Sequence, residues 1–221
     1  MPLPSVGWLG LRSGAVMFDF HTHKVKPDAI VAISPCDDVS SRVLYSVGVH
    51  PWMVADAGCD AWSRLDAVAR EKNVVAIGET GLDKLRGPAI SLQAEAFERH
   101  VSVSESVGKP LIIHCVRAYN ELMSMRRRLS PSQAWVIHGF RGKPELARQL
   151  VDAGFLLSLG AKFNAATAMA IPSDKLLIES DDSDVDVASI YRSVAAARNQ
   201  SVSELERSVD GTLQSLGISV D

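Results

Sequence analysis

The stretch "MFDFHTH", residues 17–23, places two imidazoles, His21 and His23, one residue apart at the end of an apolar run. In an extended strand, residues i and i+2 point to the same face, so both rings project into whatever that face encloses. A pair of histidines at this spacing is also common at a solvated strand end. Its meaning therefore depends on whether other strands of the chain supply partners.

Seven further apolar runs follow this stretch, and segments with helical periodicity lie between most of them. We predict strands at 16–21, 29–34, 43–49, 74–79, 110–114, 134–138, 154–159 and 175–180. We predict helices at 60–72, 90–107, 118–129, 143–153, 186–197 and 203–216. Near-continuous Val, Ile and Leu runs are typical of parallel strands buried on both faces. Eight strands with intervening helices favour a TIM-like (β/α)8 barrel over an open doubly wound sheet.

The connections between the first three predicted strands are short. About eight residues separate the first strand from the second, and about eight separate the second from the third. A parallel crossover normally needs roughly a dozen or more. We therefore expect a barrel trimmed by one or two early helices. We expect residues 1–16, which are broken by prolines and glycines, to form a flexible extension, and residues 17–221 to form a single domain.

The composition of the 221 residues, 47% apolar and 22% charged, is ordinary for a globular protein. The net charge of −3 gives no general attraction to nucleic acid, so a polyanionic substrate needs a local basic patch. Three cysteines without CxxC spacing argue against a disulfide framework and favour a reducing, cytoplasmic setting. Neither a bilayer-length apolar run nor a signal-peptide pattern is present. We expect no membrane association and no obligate protein partner.

Histidines and carboxylates recur at the carboxyl ends of the predicted strands. The residues at these ends are His21, His23, His50, Glu79, His114, His138 and Asp181. In a barrel these ends form the active-site face, so the side chains converge on one mouth. A buried carboxylate without a partner is costly, and a shared divalent cation removes that cost. Mixed imidazole and carboxylate ligands suit Zn, Mn, Fe or Ni better than an all-oxygen Mg or Ca site.

Six motifs in order, "DFHTH", "VGVHP", "AIGETGLD", "PLIIHC", "VIHGFRG" and "LLIESD", resemble those of the TatD-type metal-dependent deoxyribonucleases of the amidohydrolase superfamily. The resemblance covers the chain from Met17 onward, as a short variant. It implies a barrel with two adjacent divalent ions, of which Zn, Mn, Mg, Fe and Ni are the candidates. By this resemblance, His21, His23 and Asp181 bind the first ion, His114 and His138 bind the second, and Glu79 bridges them.

The resemblance also implies a reaction, namely phosphodiester hydrolysis by a water that two metals activate. We expect Asp181 to orient that water and accept its proton, and Glu79 to fix the distance between the ions. The expected substrate is the end of single-stranded DNA, cleaved exonucleolytically. For substrate binding we predict His50 as a pocket residue, Arg117 and Arg141 as phosphate-gripping guanidinium groups, and Lys162 as a further cation.

Two other functions stay open at this point. The segment "ESDDSDVD", residues 179–186, adds acidic residues near the mouth that would repel a nucleic-acid backbone. It favours an amidohydrolase or phosphoesterase that acts on a small molecule. The second alternative is a metal-binding interaction module without catalysis, and the complete set of predicted ligands argues against it.

Overall fold

The computed structural model of this chain describes residues 17–40 and 42–219, and the predicted extension, residues 1–16, lies outside them. The strands are β1 Asp19–Thr22, β2 Ala29–Ile33, β3 Leu44–Val47, β4 Val74–Asp83, β5 Leu111–Val116, β6 Trp135–Ile137, β7 Phe155–Leu159 and β8 Leu176–Ile178. The α-helices are α1 Cys59–Val68, α2 Ile90–Val107, α3 Tyr119–Leu129, α4 Pro144–Asp152, α5 Ala165–Ala170, α6 Val187–Ala197 and α7 Val202–Ser215. Short 3-10 helices lie at Pro51–Met53 and Ser173–Lys175.

The eight strands form one parallel sheet in sequence order, from β1 to β8. The first and last strands approach each other, because the Asp181 N–H donates to the His21 carbonyl at 2.9 Å. Thr22 and Asp181 form a parallel bridge at the same place. The sheet is thereby a nearly closed barrel, and the prediction of a TIM-like barrel is confirmed.

The predicted loss of early helices is also confirmed. Within the described residues, no α-helix lies between β1 and β2 or between β2 and β3. A direct return is feasible because β1 has four residues and therefore rises only about 13 Å. The six residues 23–28 reach about 20 Å when extended. Short strands thus let the chain return to the start of the next parallel strand without a helix.

Strand β4 is longer than predicted, because it continues past Glu79 to Asp83. Gly78 has φ +146°, and a Cβ there would collide with the Ile112 carbonyl of β5. Gly81 has φ +148° and would collide with the His114 carbonyl. The glycines therefore allow β4 and β5 to approach closely on both sides of Glu79.

Large apolar side chains fill the barrel and the layer between sheet and helices. Phe20, Ile112, Trp135 and Leu177 are fully buried. Each such side chain contributes roughly 1.5–3 kcal/mol through removal of apolar surface from water. Helix α5 was not predicted, since its six residues are too few to show a helical period. Of the helices described, none has the combination of length and hydropathy that a bilayer crossing requires.

Candidate metal centre

The carboxylate of Glu79 lies at the centre of the site, 5% exposed, on the stretch of β4 that faces the barrel mouth. Its oxygen Oε2 lies 3.4 Å from His21 Nε2 and 3.4 Å from His23 Nε2. These rings share a face because they are two residues apart at the end of β1. One oxygen of Glu79 therefore faces the first predicted pair of imidazoles.

The other oxygen of Glu79, Oε1, faces a second group of imidazoles. It lies 2.8 Å from His138 Nε2, 2.9 Å from His114 Nδ1 and 3.1 Å from His50 Nε2. His114 lies within β5, His138 directly follows β6 and His50 follows β3, and the parallel topology brings these places to one mouth. The two oxygens of one carboxylate thus face separate donor sets, which is the arrangement a bridging ligand requires.

Asp181 completes the first set from the opposite side of the barrel seam. Its Oδ1 lies 3.6 Å from His23 Nε2 and 3.8 Å from His21 Nε2. The backbone of Asp181 has φ +55°, which lies in the left-handed region. The bond from its N–H to the His21 carbonyl holds the two segments together. Burial and the nearby Glu179 and Glu79 raise the pKa of Asp181, although the charges of His138 and His21 oppose them.

The donor atoms fit a bound cation. His21 Nδ1, His21 Nε2 and Glu79 Oε2 are buried without a hydrogen-bond partner among the described residues. Such groups are rare in folded proteins unless an ion or water satisfies them. Four overlapping groups of three donors each lie within 4.8 Å of one another: His21, Glu79 and His138; His21, His23 and Asp181; His50, Glu79 and His114; His138, Glu179 and Asp181.

The electrostatics of the cluster favour added positive charge. Burial by itself would raise the pKa of Glu79, yet the charge of His138 and hydrogen bonds from His114 and His138 hold it well below its usual value. Burial likewise lowers the pKa of His138, but Glu79 and Glu179 raise it well above the usual value. The site therefore stabilises a cation beside these carboxylates, and nitrogen with oxygen donors suits a transition metal or zinc.

A family model described as "TatD related DNase" matches residues 17–213. This chain belongs to the TatD-related DNase family. It is 35% identical over 154 residues to "Uncharacterized metal-dependent hydrolase TatD" of Mycobacterium tuberculosis, covering 63% of this chain and 58% of that protein. It is 30% identical over 146 residues to "3'-5' ssDNA/RNA exonuclease TatD" of Pantoea ananatis, covering 62% of this chain and 56% of that protein.

The fold comparison agrees with the family match. The crystal structure of "YJJV, TATD Homolog" from Escherichia coli K12 superposes with a TM-score of 0.75 at 20% identity, covering 86% of each chain. At this identity the likeness concerns the fold. This TatD-family chain spans less than three fifths of the length of the two sequence relatives that it matches.

Two carboxylates beside the predicted ligands were missed from the sequence. Glu179 is fully buried, accepts the Gly139 N–H at 2.6 Å and lies 3.3 Å from His138 Nδ1. Asp83 lies 3.2 Å from His114 Nε2. Carboxylates in such positions orient ligating imidazoles. The sequence did point to Glu179, because it lies two residues before the predicted ligand Asp181.

Asp83 also joins the metal centre to the loop after β3. Its Oδ2 accepts the Trp52 Nε1–H at 2.7 Å, and the Arg86 guanidinium lies 4.8 Å from the Trp52 ring centroid. Trp52 is 38% exposed, with its edge held by Asp83. On β4, Asp83 lies four residues beyond Glu79, which gives both the same face, but the predicted strand ended at Glu79.

The structure separates the predicted substrate-binding residues into different places. Arg141 and Lys162 line a small cavity of about 60 Å³ together with Asp181. His50 lines a larger cavity of about 500 Å³ on the other side of the centre. Arg117 is exposed and lines neither cavity. The assignment of these four residues to substrate binding stays a prediction, as do the metal ligands.

Proposed function

We propose that this chain is a divalent-metal-dependent hydrolase that cleaves phosphodiester bonds at the ends of single-stranded DNA. The observation that carries the proposal is the carboxylate of Glu79, whose two oxygens face two separate sets of imidazoles. Two bound divalent ions would lower the pKa of a water molecule and polarise a phosphoryl oxygen. Membership of the TatD-related DNase family, and a relative named as an exonuclease, support the choice of substrate.

The residues of this chain would have different roles according to their positions. His21, His23 and Asp181 would hold one ion, His114 and His138 would hold the other, and Glu79 would bridge them. Asp181 is the half-buried carboxylate at the open side, so it would orient the attacking water and take its proton. Arg141 and Lys162 line the cavity beside Asp181, where they would bind the phosphate that is cleaved.

One observation favours a small phosphoester as the substrate. Asp182 lines the same cavity as Arg141 and Lys162, and a carboxylate there repels a continuous phosphate backbone. The alternative is therefore the same metal chemistry on a single phosphoester or amide. It predicts hydrolysis of a small substrate such as bis(p-nitrophenyl) phosphate, with no shortening of DNA.

The direct test uses a 5′-labelled single-stranded oligonucleotide with Mn²⁺, Zn²⁺ or Mg²⁺. We expect stepwise shortening by the wild-type chain and at least about a thousandfold lower rate for Glu79→Gln. Glu95→Gln, an exposed change on α2, is the matched control and should keep the wild-type rate. An oligonucleotide that stays intact with all three metals would refute the nuclease proposal.

A further inference from the structure

A cavity of about 500 Å³ opens beside the metal centre, between the ends of β2 and β3 and the segment that begins α1. We call it the β2–β3 cavity. It shares His23, His50 and Glu79 with the metal centre, so a ligand there touches the site of chemistry. Its volume falls within the range of roughly 300–1,000 Å³ that is typical of small-molecule pockets.

The β2–β3 cavity lies in the part of the barrel that lacks helices. The described residues between β2 and β3, 34–40 and 42–43, contain no helix that could cover the mouth. Met53, at the end of the 3-10 helix, and Ala57, Gly58 and Ala61, around the start of α1, also line the cavity. The short connections therefore create a recess at the carboxyl ends of the strands, where barrels bind substrates.

The lining of the β2–β3 cavity is mostly apolar. Ala32, Ile33, Val49, Met53 and Ala57 contribute aliphatic or thioether surface. Met53 is 55% exposed, and an exposed methionine adapts to the shape of an organic ligand. An apolar recess with a few polar groups at its edge is the usual form of a site for an organic group.

The charge of the β2–β3 cavity disfavours phosphate. Apart from Glu79, its charged lining residues are Asp37 and Asp56, and no lysine or arginine is among the described residues that line it. Arg141 and Lys162 lie instead at the small cavity beside Asp181. The two sides of the metal centre thus differ, with cationic groups on one side and an apolar, acidic recess on the other.

We propose that the β2–β3 cavity binds the organic group of the phosphoester substrate, and that this group is uncharged or cationic. In single-stranded DNA the group is the base of the terminal nucleotide. In a small phosphoester it is the alcohol part. The inference rests on the proposed function, since it assigns the phosphate to the side with Arg141 and Lys162.

A substitution at Gly58 can fill the β2–β3 cavity without displacing other residues. It lines the cavity as the N-cap residue of α1, with φ −65° and ψ 167°, a conformation that any residue adopts. A Cβ at Gly58 meets no heavy atom within 4 Å. Gly58→Trp should therefore fold and occupy the recess. Gly58→Ser is the control at the same position, and Gly211→Trp, also without a contact within 4 Å, is the control in distant α7.

The first measurement is equilibrium binding of uridine to the Mn²⁺-loaded protein, which needs no turnover. We expect Gly58→Trp to weaken uridine binding by about tenfold or more, with both controls within about twofold of wild type. Binding of inorganic phosphate should stay unchanged in all three variants. Equal uridine affinity in Gly58→Trp and wild type, or no uridine binding by wild type, would overturn the proposal.

The second measurement tests the charge of the cavity with orotidine, which is uridine with a carboxylate on the base. We expect wild type to bind orotidine about fivefold more weakly than uridine, because Asp37 and Asp56 repel the carboxylate. Asp56→Asn should reduce the difference in affinity between uridine and orotidine. Stronger binding of orotidine than of uridine would overturn the assignment.

The two proposals fail in different ways. If Gly58→Trp loses uridine binding but wild type does not shorten the oligonucleotide, the cavity assignment holds and the nuclease proposal falls. If all variants shorten the oligonucleotide at the same rate and KM, the nuclease proposal holds and the cavity assignment falls.

Discussion

The two halves of this barrel differ in construction. The early half, β1 to β3, has no α-helix between its strands within the described residues, whereas each strand of the late half, β4 to β8, is followed by at least one. Yet both halves supply the candidate metal centre, with His21, His23 and His50 from the early half. The positions of the ligands therefore depend on the strand ends and their register, while the helices decide how open the surrounding wall is.

Glu79 is the point at which the two halves meet. It lies on the first strand of the late half and faces imidazoles from both halves. The late half supplies the carboxylates at the centre, Glu79, Glu179 and Asp181, while the early half supplies rings and the apolar recess. A shortened early half thus keeps the donor side chains together and changes the space beside them.

After the loss expected for Glu79→Gln, the next largest effect is expected at Asp181, where the late half touches the early histidines. Asp181→Asn keeps the size of the side chain but removes the proton acceptor, so kcat should fall about 100- to 1,000-fold with little change in KM. The assay is oligonucleotide shortening at saturating Mn²⁺. Asp152→Asn, an exposed change at the end of α4, is the matched control and should stay within about threefold of wild type. Equal losses in kcat and affinity would contradict the assignment.

The sequence was enough to predict the fold and the cluster at the strand ends. All eight strands were predicted, because buried parallel strands leave long apolar runs. The predicted end of β4 was wrong. Gly78 and Gly81 let β4 continue beside β5, and this depends on how closely β5 approaches. Asp83 was missed for the same reason, because the strand was predicted to end before it.

The β2–β3 cavity could not be predicted from the sequence. The short connections around β2 indicated missing helices, but the shape of the space they leave depends on where the start of α1 packs. The positions of Arg117, Arg141 and Lys162 likewise depend on loop paths that periodicity does not describe. The positions of the strands follow from local sequence patterns, whereas the paths of the loops follow from tertiary packing.

A smaller effect is expected at Asp83, which connects the loop after β3 to a late-half histidine. Asp83 accepts from Trp52 and lies beside His114 Nε2, so it orients the ring. Asp83→Asn should lower metal affinity about 10- to 100-fold, a typical cost for a carboxylate behind a ligating histidine. Titration with Mn²⁺ measures it, with Asp60→Asn on α1 as the control. Unchanged metal affinity would show that His114 is positioned without Asp83.

The smallest effect concerns His100, which joins the halves away from the metal centre. The Val49 N–H donates to His100 Nε2 at 2.9 Å, and His100 Nδ1 lies 2.7 Å from the Ala96 carbonyl. Burial lowers the pKa of His100 to about 4. The unfolded chain binds a proton here below about pH 6.5, whereas the folded chain stays neutral, so stability falls as the pH drops from 6.5 towards 4.

Urea unfolding of wild type and His100→Gln at pH 7 and pH 5 measures this contribution. Glutamine does not titrate, so the advantage of wild type over the variant should shrink by about 2 kcal/mol between the two pH values. A difference in unfolding free energy that stays the same at both pH values would show that His100 does not carry the pH dependence.

The most direct test of the shared centre is the metal content of the purified chain after equilibrium dialysis against Zn²⁺ or Mn²⁺. We predict tight binding of divalent ions by wild type, with two per chain at saturation, and weaker binding both by His21→Ala from the early half and by His138→Ala from the late half. A wild-type chain that binds no more metal than Glu79→Gln, or a loss confined to one half, would contradict a centre built jointly by the two halves.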